Sequence, residues 1–101
     1  MTQAAIRRAG DGRLAVEGEL SFATVTRLVG EARRLFEQAE EIRIDLQAIT
    51  RADSAGLALL VECMRYAQRL GKPIQFLNIP TQMLAIARVS SLDQVLPLSR
   101  G

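Results

Sequence analysis

The stretch TRADSAGLALL, residues 50–60, passes from polar side chains into a block of aliphatic ones. The first four N–H groups of a helix lack intrahelical partners, so Asp53 or Ser54 is expected to cap a helix that begins here. Gly56 falls in the first turn, where glycine costs about 1 kcal/mol relative to alanine. Either the helix packs closely against a neighbouring element there, or a partner approaches it. Two interpretations stay open, a capped helix start and a site for docking or phosphorylation.

The aliphatic block continues with helical spacing and predicts a helix from Ser54 to about Leu70, with Gly71 as its C-cap. EIRIDL, residues 41–46, alternates apolar and polar side chains, and PIQFLN, residues 73–78, follows the helix; both are predicted strands. A strand, a helix and a strand with short connections form a βαβ unit, so these strands are expected to be parallel with a right-handed crossover.

The rest of the chain supplies further elements around this unit. The other predicted elements are strands over residues 4–8 and 13–17 around an Asp11-Gly12 turn, a helix from Val25 capped by Ser21 or Thr24, a loop over residues 47–53, a helix over Thr81–Val89, and a closing segment over residues 92–98. The expected fold is a small α/β sandwich, with about four strands in a mixed sheet and helices packed on it. A chain of 101 residues fits one domain, spanning residues 1–101.

Composition argues against enzymatic chemistry and against nucleic-acid binding. The chain has no histidine and one cysteine, Cys63, so the commonest general base is absent and no zinc site of the usual kind is expected. It also contains no Gly-rich phosphate loop and no dinucleotide fingerprint. Its 13 basic residues are interleaved with 11 acidic ones, unlike the unopposed basic stripe of a nucleic-acid binder. We therefore expect no catalysis, no metal, no cofactor and no nucleic acid.

Hydropathy gives no sign of a membrane segment. The longest apolar run, Leu57–Val61, is far too short to span a bilayer, and the N-terminal residues lack the apolar core of a secretory signal. No amphipathic or polybasic segment indicates direct lipid binding. The sequence predicts a cytoplasmic protein without direct membrane insertion.

The stretch IDLQAITRADSAGLALL, residues 44–60, resembles the hallmark of the STAS domains, the family named for sulfate transporters and anti-sigma factor antagonists. In that hallmark a strand ends in Asp-Leu, and a loop reading Asp-Ser/Thr-x-Gly-Leu opens a helix. LAVEGELSFATV, residues 14–25, resembles the family's loop before the first helix. Residues 71–98 resemble its last strand, third helix and closing segment. The resemblance covers nearly the whole chain in the right order and implies a STAS-type sandwich.

Within the family, RADSAGLALLVECMRYAQRLGKPIQF resembles most the STAS subunit of Mla-type ABC transporters, which move phospholipids between the two membranes of Gram-negative bacteria. That subunit sits on the cytoplasmic ATPase and carries a hydroxyl residue at the position of Ser54. The alternative is an anti-sigma factor antagonist, which binds an anti-sigma kinase and is switched by serine phosphorylation. Antagonists usually carry that serine immediately before the glycine, where this chain has Ala55. Phosphorylation of Ser54 itself stays open.

The resemblance implies that the protein acts by contact. We expect the loop before the second helix, and the first half of that helix, to bind the ATPase subunit of a Mla-type transporter together with its permease. This would place the protein at the inner face of the inner membrane and support outer-membrane lipid asymmetry. Asp53 is expected to cap the helix, Ser54 to exchange hydrogen bonds with the partner, and Gly56 to permit close approach. The predicted partner-contact residues are Thr50, Arg51, Asp53, Ser54, Ala55, Gly56, Leu57, Ala58 and Glu62.

Overall fold

Six strands form one mixed sheet, and three α-helices pack against it in the computed structural model, which describes residues 3–99. The elements in chain order are β1 (Ala4–Arg8), β2 (Leu14–Leu20), α1 (Phe22–Glu37), β3 (Ile42–Asp45), β4 (Ile49–Ala52), α2 (Ser54–Leu70), β5 (Ile74–Leu77), α3 (Thr81–Val89), a 3₁₀ turn (Leu92–Gln94) and β6 (Leu98–Ser99). The α/β class is confirmed, although the sheet has six strands where about four were expected.

The order of the strands places all three helices on one face. β1 and β2 form an antiparallel hairpin, while β2, β3, β5 and β6 run parallel in the order β1-β2-β3-β5-β6. Each of the connections through α1, α2 and α3 leads on to the next strand in the same direction across the sheet. Right-handed crossovers therefore put all three helices on the same side. The predicted βαβ unit is confirmed, with Ile42 paired with Ile74 and Ile44 paired with Phe76.

Alternation along the strands separates a buried face from a polar one. Val16, Ile44 and Phe76 are at most 2% exposed and point toward the helices, whereas Arg43 and Gln75, on the other face, are partly or fully exposed. Each large apolar side chain buried in this way contributes about 1.5–3 kcal/mol. The contact between the sheet and the helices is therefore the main source of the fold's stability.

The strand β4 was expected to be a loop. Its four residues bury only Ile49 and Ala52, so the segment lacks the alternation by which strands are recognised in a sequence. It forms because it pairs in parallel with the second half of β2, from Gly18 to Leu20. A pairing between segments thirty residues apart leaves no local signal in either of them.

The segment Gly18-Glu19-Leu20, after the predicted strand over residues 13–17, was expected to form a loop before the first helix and instead continues β2. Gly18 has φ of +93°, and the pairing register with β4 shifts between Gly18 and Glu19. A Cβ on Gly18 would collide with the carbonyl oxygen of Gln3, the residue directly before β1. Glycine is required at this bulge both for its backbone conformation and for the close approach of β1.

The helix boundaries follow their capping residues. α1 begins at Phe22, three residues before the predicted start, because Ser21 is its N-cap and the Ser21 N–H donates to Thr24 Oγ1 at 3.0 Å. The predicted bounds of α2 and α3 are confirmed, and Gly71 ends α2 in the left-handed conformation with φ of +69°. Both candidate caps of α1 therefore take part in its first turn.

Cys63 lies on the buried side of α2 and is 6% exposed. Burial, with a smaller effect of the Glu62 charge, raises the pKa of its thiol to about 12. At about pH 8 only about one thiol in ten thousand is then ionised. We expect a chromogenic disulfide reagent to leave native Cys63 unmodified over hours and to react at once after unfolding in guanidinium chloride. Rapid reaction of the native protein would show that this side of α2 opens to solvent.

Candidate functional site

The N-termini of α1 and α2 lie side by side where β2 and β4 end. Leu20 pairs with Ala52, and the N–H of Asp53 donates to the carbonyl oxygen of Leu20 at 3.3 Å. Because α1 begins at Phe22 and α2 at Ser54, directly after these strands, the first residues of both helices share one edge of the fold. The loop before α2, which the sequence singled out, therefore lies beside the start of α1.

Asp53 is the N-cap of α2. Its Oδ1 accepts a hydrogen bond from the N–H of Ala55 at 2.8 Å, and its backbone is extended. A carboxylate at this position also meets the positive end of the helix dipole, worth about 0.3–1 kcal/mol. Of the two candidate caps, Asp53 takes this role. Ser54 is left exposed as the first helical residue, and its hydroxyl makes no hydrogen bond with any residue between 3 and 99.

The predicted partner-contact residues divide into two groups. Ala55 and Leu57 are each 2% exposed, and Gly56 is buried as well, so these three belong to the core and are removed from the contact set. The other six reach the surface, with Glu62 half-buried: Thr50, Arg51, Asp53, Ser54, Ala58 and Glu62. Their contact with a partner stays a prediction.

Gly56 has a role inside the protein. A Cβ built on it would lie 3.1 Å from Ala52 Cβ and 3.3 Å from Leu20 Cβ, closer than such atoms normally approach. The missing side chain lets α2 settle on the ends of β2 and β4. The structure therefore favours close packing against a neighbouring element and corrects the expectation that Gly56 permits the approach of a partner.

Phe22 is a candidate that the sequence reasoning missed. Its side chain is 81% exposed at the first position of α1, next to the start of α2. Phe22 and Val29 lie seven residues apart on one side of α1, and Val29 lines a cleft with Glu62 of α2. Phe22 therefore lies two turns before Val29 on the side of α1 that meets α2, where Ser54, Ala58 and Glu62 follow each other at intervals of four. We call Phe22, Ser54, Ala58 and Glu62 the docking surface.

Thr50 and Arg51 flank this surface. Thr50 lines a groove with Gly18, Ala48 and Arg27, on the side of β4 that faces β1. Arg51 is exposed and has no ion pair within residues 3–99. The structure thus brings Ser54, Ala58 and Glu62 together and leaves Thr50 in a different groove.

The side chains at the site determine which contacts it can make. In the described part of the chain, no group of three or more His, Cys, Asp or Glu side chains is placed to hold a metal ion. Over the same residues, no helix is both long enough and apolar enough to cross a membrane. The exposed groups at the site are a hydroxyl, a capping carboxylate and an aromatic ring, which suit hydrogen bonding and packing against another protein.

The mixed sheet with helices on one face, and the Asp-Ser-Ala-Gly-Leu loop that opens α2, define a STAS-type domain. The chain belongs to the STAS domain family, because the profile of the family described as "Mlab, STAS domain" matches residues 4–98. No curated protein matches the chain.

Solved structures share the fold at low sequence identity. The phosphorylated form of the Bacillus cell fate determinant SpoIIAA has a TM-score of 0.70 at 16% identity, covering 98% of this chain and 91% of its own. An anti-sigma factor antagonist from Mycobacterium paratuberculosis has a TM-score of 0.74 at 20% identity, with coverage of 97% and 85%. A STAS domain protein from Planctomyces limnophilus, described as an anti-sigma-factor antagonist, has 0.71 at 12% identity, with coverage of 97% and 90%. At these identities the likeness establishes the fold alone.

Two helical glycines provide a matched test of the packing at Gly56. A Cβ on Gly30, exposed in α1, would meet no atom within 4 Å. We expect Gly56→Val to lower the free energy of unfolding by about 1–3 kcal/mol through overpacking, whereas Gly30→Val changes it by only a few tenths, roughly the difference in helix propensity. Urea unfolding of both variants measures this. Equal effects would mean that α2 does not depend on the contact with Leu20 and Ala52.

Proposed function

We propose that this protein is the non-catalytic STAS subunit of a Mla-type phospholipid-transporting ABC complex. Its docking surface binds the cytoplasmic ATPase subunit, which is held with its permease at the inner face of the inner membrane. The match to the MlaB-type family over residues 4–98 supports this role. The observation that carries the proposal is the exposed, unengaged hydroxyl of Ser54 at the start of α2, with a second exposed side chain, Phe22, at the start of the neighbouring α1.

The residues of the docking surface have complementary tasks. Ser54 exchanges hydrogen bonds with the ATPase, while Ala58, one turn further, lets the partner's backbone or side chains approach the helix closely. Phe22 supplies the apolar anchor that interfaces commonly place beside polar contacts. A subunit that binds one state of the ATPase more tightly shifts the population toward that state. In this way the protein supports lipid transport, and so outer-membrane lipid asymmetry, without chemistry of its own.

The alternative function is an anti-sigma factor antagonist that binds an anti-sigma kinase. The exposure of Ser54 favours keeping this alternative, because a phosphate there would meet the N-terminus of α2. Against it stands Ala55, which occupies the position of the serine that antagonists usually phosphorylate and is 2% exposed. The transporter role therefore takes precedence.

The first test is affinity capture from native cells with Ser54→Glu beside the unaltered protein. We expect the unaltered chain to retain an ABC ATPase with its permease, and Ser54→Glu to lose them, because a carboxylate replaces a small hydroxyl at the contact. Thr81→Glu is the matched control, since Thr81 is the exposed first residue of α3 and a new charge there meets the same kind of helix end. Capture of an anti-sigma kinase without transporter subunits would favour the alternative.

A second test concerns Phe22, which contributes little to the fold. We expect Phe22→Ala to change the free energy of unfolding by less than about 0.5 kcal/mol, because the ring is already exposed. The same change is expected to weaken ATPase binding by about thirtyfold, as for an interface anchor worth about 2 kcal/mol. Val89→Ala, at a side chain 89% exposed at the end of α3, serves as the control. Equal affinities of the two variants, measured by calorimetry with the purified ATPase, would exclude Phe22 from the interface.

A further inference from the structure

The second half of the α1–α2 pair carries a basic groove that shares one residue, Glu62, with the docking surface. The groove is open, has a volume of about 530 Å³, and is lined by Arg33 of α1 with Glu62, Arg65, Gln68 and Arg69 of α2. That volume exceeds what a single small ion needs and can take several side chains. Three guanidinium groups therefore converge on a space in which Glu62 is the one acidic side chain among the lining residues.

Tyr66 positions two of these guanidinium groups. The Cζ atoms of Arg33 and Arg69 lie 5.4 Å and 5.5 Å from the centre of the Tyr66 ring, within cation–π distance. The Tyr66 hydroxyl donates a hydrogen bond to Glu37 Oε1 at 3.0 Å, which fixes the ring. The Tyr66 ring thus contacts both guanidinium groups before any ligand arrives.

The arginines keep their hydrogen-bonding capacity for a ligand. Arg33 and Arg69 form no ion pair with another residue between 3 and 99, and Arg65 approaches Glu62 at 3.6 Å while its side chain stays 66% exposed. Guanidinium groups that lie against an aromatic ring still present their N–H edges, and these edges match a carboxylate in a bidentate manner. The groove is therefore suited to carboxylate groups.

The surroundings favour an acidic protein segment over a larger polyanion. Glu62 lies in the groove, and Glu37 lies beside it. These two carboxylates would repel an extended row of phosphates. The carboxylates of a peptide are spaced along a flexible chain and can avoid both. Across the chain 13 basic residues are balanced by 11 acidic ones, whereas electrostatic binding of a membrane or a nucleic acid normally uses a clear excess of basic residues. A concave groove between two helices also fits a chain better than a flat bilayer.

The groove continues the exposed stripe of the docking surface. Arg65 follows Ser54 by eleven residues on the same side of α2, which corresponds to about 16 Å along the helix axis. We propose that an acidic segment of the partner protein binds in the basic groove through its carboxylates. The inference rests on the proposed function in one respect, that the segment belongs to the protein covering the docking surface.

The direct test titrates a short glutamate peptide into the full-length protein and follows the amide signals by NMR. We expect the largest shifts around Arg33, Arg65 and Arg69. Arg65→Gln/Arg69→Gln should weaken binding about tenfold at low salt, as expected for the loss of two exposed ion pairs. The control variant Arg34→Gln/Arg88→Gln, which removes the same charge from exposed helical sites, should change the affinity less than about twofold.

Three results would overturn the inference. The first is the absence of peptide binding at low salt, and the second is an equal loss of affinity in the control variant. The third is tighter binding of phosphatidylglycerol vesicles or duplex DNA than of the peptide, removed by the same groove variant. That result would assign the groove to a phosphate polyanion.

Capture from native cells separates this inference from the proposed function. If Ser54→Glu abolishes capture of the ATPase while Arg65→Gln/Arg69→Gln leaves it unchanged at low salt, the inference fails and the proposed function stands. If the groove variant lowers capture at low salt and the difference disappears at high salt, the inference is supported. If the peptide binds the groove but the unaltered chain captures no transporter subunits, the proposed function fails and the ligand chemistry of the groove stands.

Discussion

The close contact of Gly56 with Leu20 and Ala52 is the constraint on which the site depends. It joins the start of α2 to the paired ends of β2 and β4, with 3.1 Å between Ala52 Cβ and the place of a Cβ on Gly56. Since α1 leaves β2 directly after Leu20, the same contact fixes the starts of both helices relative to each other. A larger side chain at Gly56 would therefore shift the start of α2, with Ser54, relative to the start of α1.

A second contact fixes the opposite end of the helix pair. The Nζ atom of Lys72, just after α2, donates to the carbonyl oxygens of Phe36 and Glu37 at 2.8 Å and 3.1 Å. Both carbonyls belong to the last turn of α1, where a positive charge also meets the negative end of the helix dipole. Contacts at both ends of the pair therefore fix the position of α1 relative to α2. The docking surface and the basic groove then keep a fixed separation.

The sequence was sufficient to predict those elements whose ends are marked by residues within or next to them. Gly71 marked the end of α2, and helical spacing marked α2 and α3 with the bounds that the structure confirms. The strand β4 was missed because its pairing with β2 is long-range and its four residues do not alternate. The start of α1 was placed late because the sequence offered two caps, Ser21 and Thr24, and the helix was counted from Val25, although Phe22 continues the apolar spacing one turn earlier.

The candidate site was predictable in position but not in orientation. The Asp-Ser-Ala-Gly-Leu pattern identified the loop, yet it could not show that Ala55 and Leu57 face the core while Ser54 and Ala58 face outward. Successive helical residues differ by about 100° around the axis, so that assignment depends on where β2 and β4 meet α2. Phe22 was missed for the same reason, because its proximity to Ser54 arises from the pairing of Leu20 with Ala52.

The docking surface and the basic groove would contribute to partner binding in different ways. The docking surface combines an aromatic ring with small side chains, and desolvation of such groups contributes mainly to affinity and to a slow dissociation rate. The basic groove acts at longer range, because complementary charge steers a partner and fixes its register more than it adds affinity. Two such contacts about 16 Å apart along α2 define a direction as well as a position. A partner that satisfies both must lie along the helix in one orientation, which is what the proposed function requires of a subunit that favours one state of its partner.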